Sequence, residues 1–158
     1  MQTVTLREIT SATVHKVCRL KVRLDQEQFV ATNAVSLAEA LFAPEAWYRA
    51  VYFDEAIVGF VMLWDDTLNP FPLAKPEICL WRLMISADWQ GRGIGKKVIS
   101  EVVKYVHNRP GITRFYSSYV PGEAGPESFY LSLGFVPTGA VDEDGEVIIE
   151  YPLGKGAA

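Results

Sequence analysis

Two runs of residues in this chain stand out by type and spacing, and the first has the makings of an anion site. Gln90-Gly91-Arg92-Gly93-Ile94-Gly95-Lys96 follows an apolar, strand-like run from Cys79 to Ile85 and opens a helix-patterned segment that lasts to about His107. A strand, a glycine-rich turn and a helix N-terminus together aim unpaired N–H groups and the positive end of the helix dipole at one anion. Glycines at 91, 93 and 95 let the main chain approach a ligand that side chains would exclude. The pattern therefore reads as a phosphate cradle. Spacing removes two familiar ligand classes. A dinucleotide fingerprint begun at Gly91 needs glycine where Lys96 stands, and a triphosphate loop needs glycine at Gln90 and Ser or Thr at Lys97. The second is Phe129-Tyr130-Leu131-Ser132-Leu133-Gly134-Phe135, where Tyr130 by itself reads as an aromatic packed on the sheet with its hydroxyl at the wet end.

These groups need elements to position them, and hydropathy patterning supplies an order. Val4 to Ile9 reads as a strand. Ser11 caps a helix with apolar Val14, Val17, Cys18 and Val22, and Ser36-Leu37-Ala38-Glu39 reads as a capping box for a second helix ending before Pro44. Trp47 to Phe53 and Ile57 to Trp64 form a hairpin around Asp54-Glu55. After the proline-rich stretch Asn69 to Pro76 come the strand to Ile85, the cradle and a helix with Ile94, Val98, Val102 and Val106 at four-residue steps. Pro110-Gly111 stops that helix. A strand (Thr113 to Ser118), a short helix (Pro126 to Leu133) and a hairpin turning at Asp144-Gly145 complete an α/β order, βααβββαβαββ.

With 158 residues, 49% of them hydrophobic, the chain has material for one core, and 1–154 reads as a single domain with a flexible tail at 155–158. A net charge of −4 without a Lys/Arg cluster argues against nucleic acid as a partner. No apolar stretch is long enough to cross a bilayer and no signal peptide is evident, so no membrane role and a cytoplasmic location are expected. Cys18 and Cys79 read as buried, reduced thiols. His15 and His107 lack partners at metal-ligand spacing, so no metal is expected.

Gln-x-x-Gly-x-Gly from Gln90 to Gly95, behind an apolar strand and the loop Ser86-Ala87-Asp88-Trp89, resembles the coenzyme A loop of the GNAT acetyltransferase superfamily. The segment Phe129 to Phe135 resembles that family's second hallmark, aromatic-Tyr-x-x-x-Gly-Phe, and the order of elements is similar over nearly the whole chain. The resemblance implies an α/β fold with a mixed sheet of six to seven mostly antiparallel strands and about four helices. It also implies acetyl-CoA as co-substrate and a primary amine as acceptor. Gln90, Gly91, Arg92, Gly93, Ile94, Gly95 and Lys96 would then hold the pyrophosphate, a backbone N–H near Met84 and Ile85 the thioester carbonyl, and Tyr130 would protonate the departing thiolate. Some members place a glutamate at the start of this strand. Glu77 stands there, sharing strand parity with Cys79, Trp81, Leu83 and Ile85, and is the expected base, directly or through water. Arg82, of opposite parity, reads as a structural ion pair with an acid of the sheet. Many members carry Asn seven residues before the tyrosine; here that position is Glu123.

An alkyl amine has a pKa of about 10.4, so reaching its free base at neutral pH costs roughly 4–5 kcal/mol and requires that base. Asp25, Glu27, Phe29 and Asp65 combine acids with an aromatic and suit a polycation. Together with Trp64-Asp65-Asp66, Trp81-Arg82 and the closing Gly-Phe-x-Pro-Thr-Gly, they resemble bacterial diamine and spermidine/spermine N-acetyltransferases. The rival acceptors are an aminoglycoside, an amino acid or a protein N-terminus; a non-catalytic acyl-CoA sensor is the rival class. Many relatives pair, so a homodimer is expected.

Overall fold

A computed structural model describes residues 2–71, 73–123 and 125–154; the tail expected at 155–158 lies outside the described residues. The strands are β1 (Val4–Arg7), β2 (Ala46–Phe53), β3 (Ala56–Asp65), β4 (Glu77–Ile85), β5 (Arg114–Tyr119), β6 (Val136–Val141) and β7 (Val147–Tyr151). The helices are α1 (Val14–Arg19), α2 (Asn33–Ala40), α3 (Ile94–His107) and α4 (Glu127–Ser132), with a 3-10 helix at Leu24–Phe29. One sheet takes the order β1-β2-β3-β4-β5-β7-β6. All its pairings are antiparallel except β4 with β5.

Apolar side chains cover both faces. On one, Ile94, Val98, Val102 and Val106 of α3 bury against Leu80, Leu83, Phe115, Phe135 and Ile149. Each such side chain contributes roughly 1.5–3 kcal/mol by leaving water. On the other, Val17 of α1 packs with Phe60, Met62 and Met84, flanked by Leu37 and Ala40 of α2.

The N-terminal helices differ from the sequence reading. Thr32, not Ser36, caps α2, its hydroxyl accepting from the Val35 amide at 3.2 Å. Ser36 is buried inside the helix. Helix α1 begins after Thr13 rather than at Ser11, because Thr10 and Thr13 close a turn on each other first. It stops at Arg19, before the expected Val22.

Two irregularities in β4 matter for the site. The first is a bulge: Met62 pairs with Arg82 and Leu63 with Leu80, leaving Trp81 as an inserted residue. Parity therefore reverses at Trp81, and Leu83 and Ile85 join Ile78 and Leu80 in the α3-side core. Glu77 and Cys79 do not share their face, as strict alternation had predicted. The second is a splay. The parallel ladder with β5 runs only from Glu77/Arg114 to Cys79/Tyr116, although β4 continues to Ile85. The Ser117 hydroxyl donates to the Leu80 carbonyl at 2.8 Å just beyond the last ladder pair, and past it the strands part.

Candidate active site

At the top of the splay, Gly91 (φ +75°) and Gly93 (φ +74°) take left-handed backbone conformations, and a Cβ built on either meets no atom within 4 Å. The space above this turn is open. Gly93 caps α3 without a side chain, so the first amides of that helix have no capping acceptor. Lys96 is exposed beside them, while Arg92 folds back, donating to the Asp88 carbonyl at 3.2 Å and lying over the Trp89 ring. Free amides, a helix N-terminus and a nearby ammonium fit a pyrophosphate. Gly95 belongs to the same motif but has another task. Its φ is not positive, and a Cβ there would stand 3.0 Å from two atoms of the Phe129 ring. It seats α4.

Gln90 also turns inward. Its Nε2 donates to the Ile85 carbonyl at 2.9 Å and to Gln26 Oε1 at 2.8 Å, tying the 3-10 helix to the end of β4. The Ile85 carbonyl therefore lies on the edge that β5 vacates. Met84 does not: its carbonyl oxygen is 2.5 Å from where a Cβ of Gly59 in β3 would be, and the Ser86 amide donates to Val58 of the same strand. Because backbone groups alternate along a strand, the amides of Leu83 and Ile85 face the open edge. Of the pair expected near a thioester carbonyl, Ile85 turns its amide to the open edge and Met84 turns toward β3; the Leu83 amide, not among the expected residues, faces the same edge as Ile85.

Below the cradle is a cleft of about 530 Å³ whose lining includes Phe29, Cys79, Trp81, Arg82, Tyr130 and Glu146. Tyr130 is fixed by a ring cluster, with Phe129, Phe135 and Tyr119 at 5.6, 6.0 and 6.1 Å between centroids. Burial, with Cys79 and Glu146 adding and Arg82 opposing, pushes its hydroxyl up to about 12, so it holds its proton until a stronger base arises beside it. Cys79 reaches this cleft rather than being sealed in the core; burial holds its thiol at about 12, hence neutral. Cys18 is likewise only half-buried. Arg82 pairs with Glu39 of α2, its Nη2 lying 3.4 Å from both carboxylate oxygens, so the partner comes from a helix and not from the sheet.

Several expected residues stand elsewhere. Glu77 sits where β4 and β5 are still paired, its amide bonded to Asp66 and its carboxylate 3.6 Å from Arg114. It is not among the residues lining the cleft. Asp65 is fully buried, accepting from Thr67 and from the Tyr105 hydroxyl at 2.6 Å, and is ion-paired with Arg109 at 3.2 Å, whose Nε donates to the Thr67 hydroxyl. No substrate can reach it, because the loop after β3 folds its acids inward. Asp25 and Glu27 are exposed on the 3-10 helix that carries Phe29 into the cleft, Asp25 lying 3.5 Å from Arg23. Glu123 is exposed on the loop before α4. Glu146 was missed altogether. It follows the Asp144-Gly145 turn, and only the adjacency of β7 to β5 brings it to Tyr130's side of the molecule. Among the described residues no cluster of three His, Cys, Asp or Glu could hold a metal, and no helix is long and apolar enough to cross a membrane.

A backbone phosphate cradle opening onto a split between two parallel strands, with a protonated tyrosine on one wall, defines a coenzyme A-dependent acyltransferase. Residues 14–135 match the Acetyltransferase (GNAT) family, and the chain belongs to it. It is an N-acetyltransferase that draws on acetyl-CoA. It is 23% identical over 152 residues to a spermine/spermidine N(1)-acetyltransferase of Bacillus subtilis, covering 95% of this chain and 99% of that protein. Among solved structures, AAC(6')-Ib in complex with acetyl-CoA superposes with a TM-score of 0.72 at 17% identity, covering 98% of this chain and 95% of that one. A KacTA–DNA complex gives a TM-score of 0.62 at 21% identity, covering 96% and 94%.

Proposed function

We propose that the enzyme acetylates a primary amine of a polyamine or diamine, with spermine and spermidine as the leading acceptors. The observation that carries this reading is the similarity to the Bacillus subtilis polyamine acetyltransferase over 95% of the chain. The cleft is compatible with it. Among the described lining residues the one cation, Arg82, is already matched by Glu39, while Asp25 and Glu27 stand exposed near the rim and would meet a second ammonium of the acceptor. Phe29 offers its ring to the methylene chain between them.

In this reading Gly91, Gly93, Ile94 and Lys96 hold the pyrophosphate, and the amides of Leu83 and Ile85 hold the pantetheine arm and thioester carbonyl. The neutral amine attacks that carbonyl, the carbon–sulfur bond breaks, and Tyr130 gives its proton to the thiolate. We further propose a cytoplasmic homodimer. The outer edge of β6, unpaired among the described residues and exposed throughout, supports the pairing, and two unbridged cysteines support the compartment.

The test is thiol release from acetyl-CoA with spermine, spermidine, putrescine, kanamycin and amino-acid amides. Spermine or spermidine should give the highest kcat/KM. A preference for kanamycin would replace the acceptor, and coenzyme binding without release from any amine would make the protein a sensor.

A further inference from the structure

The reaction needs a group that removes the amine's proton, and the glutamate expected to do so lies outside the cleft. Among the described residues lining that cleft, Glu146 is the only carboxylate. Its backbone is locked by the hairpin: the Asp142 carboxylate accepts from the Glu146 amide at 2.9 Å, and the Asp142 amide donates to the Glu146 carbonyl at 2.9 Å. Its side chain is aimed by β5, where the Ser118 hydroxyl donates to Oε2 at 2.7 Å. Ser118 Oγ is the only donor to that carboxylate within hydrogen-bond reach among the described residues, which leaves Oε1 free to receive a proton.

Resting on the amine-acetylation reading above, we propose that Glu146 is the proton acceptor of the transfer reaction. The acceptor's ammonium gives one proton to Glu146 Oε1 and becomes the nucleophilic amine. Its lone pair forms the carbon–nitrogen bond as the carbon–sulfur bond breaks. Tyr130 protonates the sulfur and is reprotonated by the second proton leaving the nitrogen, while the proton on Glu146 passes to solvent. One proton is released per turnover, as amide formation from an ammonium requires.

The charged and titratable neighbours permit this. Cys79 and Arg82 come from β4, Tyr130 from α4, Tyr119 from β5, and Asp142 from the hairpin itself. Cys79 and Tyr130 stay neutral at physiological pH, since burial raises both, and the Asp142 carboxylate is engaged by backbone amides. Arg82 is held by Glu39. Glu146 is therefore the lining carboxylate left with an oxygen open to the cleft.

Glu146→Gln tests the assignment without removing the acceptor of the Ser118 bond, so the hairpin should keep its seat. The substrate is whichever amine the wild-type enzyme acetylates fastest from the panel above. In the wild type, kcat/KM should reach a plateau well below the amine's own pKa. In the Gln variant kcat at neutral pH should fall roughly 10²–10⁴-fold, and the plateau should vanish. Only the amine already neutral in solution would then react, so the rate should climb about tenfold per pH unit toward the amine's pKa of about 10.4. Glu146→Asp should restore a plateau at lower rate. A Gln variant that keeps the wild-type plateau overturns the proposal, even where its KM for the amine has risen, because an anchoring carboxylate would move KM alone. A wild type inert toward the whole panel refutes amine acetylation and this role with it. A wild type active only on kanamycin refutes the polyamine reading and leaves Glu146 to be judged by its own profile.

Discussion

Gly95 of α3 lies directly beneath Phe129 of α4: a Cβ on that glycine would come within 3.0 Å of two ring atoms. Phe129 precedes Tyr130, so this contact links the coenzyme cradle to the helix that carries the acid. The three glycines of one motif therefore divide into two functions. In the proposed reading Gly91 and Gly93, which have open space above them, leave room for the coenzyme, and Gly95 sets where Phe129 stands.

The division predicts opposite kinetic signatures. Gly95→Ala should displace Phe129 and Tyr130, lowering kcat several-fold while the acetyl-CoA Kd stays within about threefold. Gly93→Ala should raise that Kd, because its Cβ enters open space above the turn and its left-handed backbone costs roughly 1–2 kcal/mol. Calorimetry and steady-state kinetics on both variants separate the two. Equal effects on Kd would mean that Gly95 also touches the coenzyme.

Tyr130→Phe should lower kcat roughly 10²-fold with acetyl-CoA affinity little changed. The ring cluster that holds the side chain needs no hydroxyl, so stability should be close to wild type. The pH dependence carries a sign. A hydroxyl held at about 12 keeps its proton across the working range, so the wild type should show no alkaline loss of kcat below pH about 10, the ordinary tyrosine value. A decline centred lower would assign the acid to another group.

Gln90 belongs to the glycine-rich motif, yet its side chain bonds inward to Gln26 and Ile85. Gln90→Leu breaks the bonds to Ile85 and Gln26 and frees the 3-10 helix that carries Phe29, Asp25 and Glu27. Three lost bonds, two of them to Gln26, of about 1 kcal/mol each should show in urea unfolding. The amine KM should rise while the acetyl-CoA Kd moves little. A change confined to the coenzyme would place the side chain on the phosphate after all.

What the sequence carried and what it lost divide along local and non-local lines. The glycine turn at 91–93, α3 and the short helix carrying Tyr130 are contiguous patterns, each fixed by residues within a few turns of one another, and their local structure was readable. The bulge at Trp81 was not. One inserted residue looks like its neighbours in a run of apolar side chains, yet it reverses parity for everything after it, and so the assignment of Glu77 to the face of Leu83 and Ile85 failed. The departure of β5 from β4 beyond Cys79 is likewise unmarked in either strand. Glu146 enters the cleft because β7 lies beside β5, a pairing between distant segments. Asp65 shows the reverse error: an acid beside an aromatic looked like a cation site, and the hydroxyls and guanidinium that consume it come from as far away as Arg109.

Asp65 yields the sharpest test of that distinction between binding and support. Its carboxylate gathers the Thr67 amide and hydroxyl, the Tyr105 hydroxyl and the Arg109 guanidinium, and it has no exposure to solvent. Asp65→Asn keeps the shape and one acceptor oxygen but leaves Arg109 without its counter-charge. Breaking a fully buried pair costs about 3–5 kcal/mol. The Arg109 side chain is 28% exposed, so water relieves part of that charge and a loss of roughly 2–3 kcal/mol is expected. For a chain of this length the melting temperature should drop by about 5–10 °C. Tyr105→Phe removes one neutral donor only and should cost roughly 1 kcal/mol. Below its melting point the Asn variant should acetylate its amine with KM within twofold of wild type. A raised KM at undiminished stability would return Asp65 to the substrate, although it is buried and does not line the cleft.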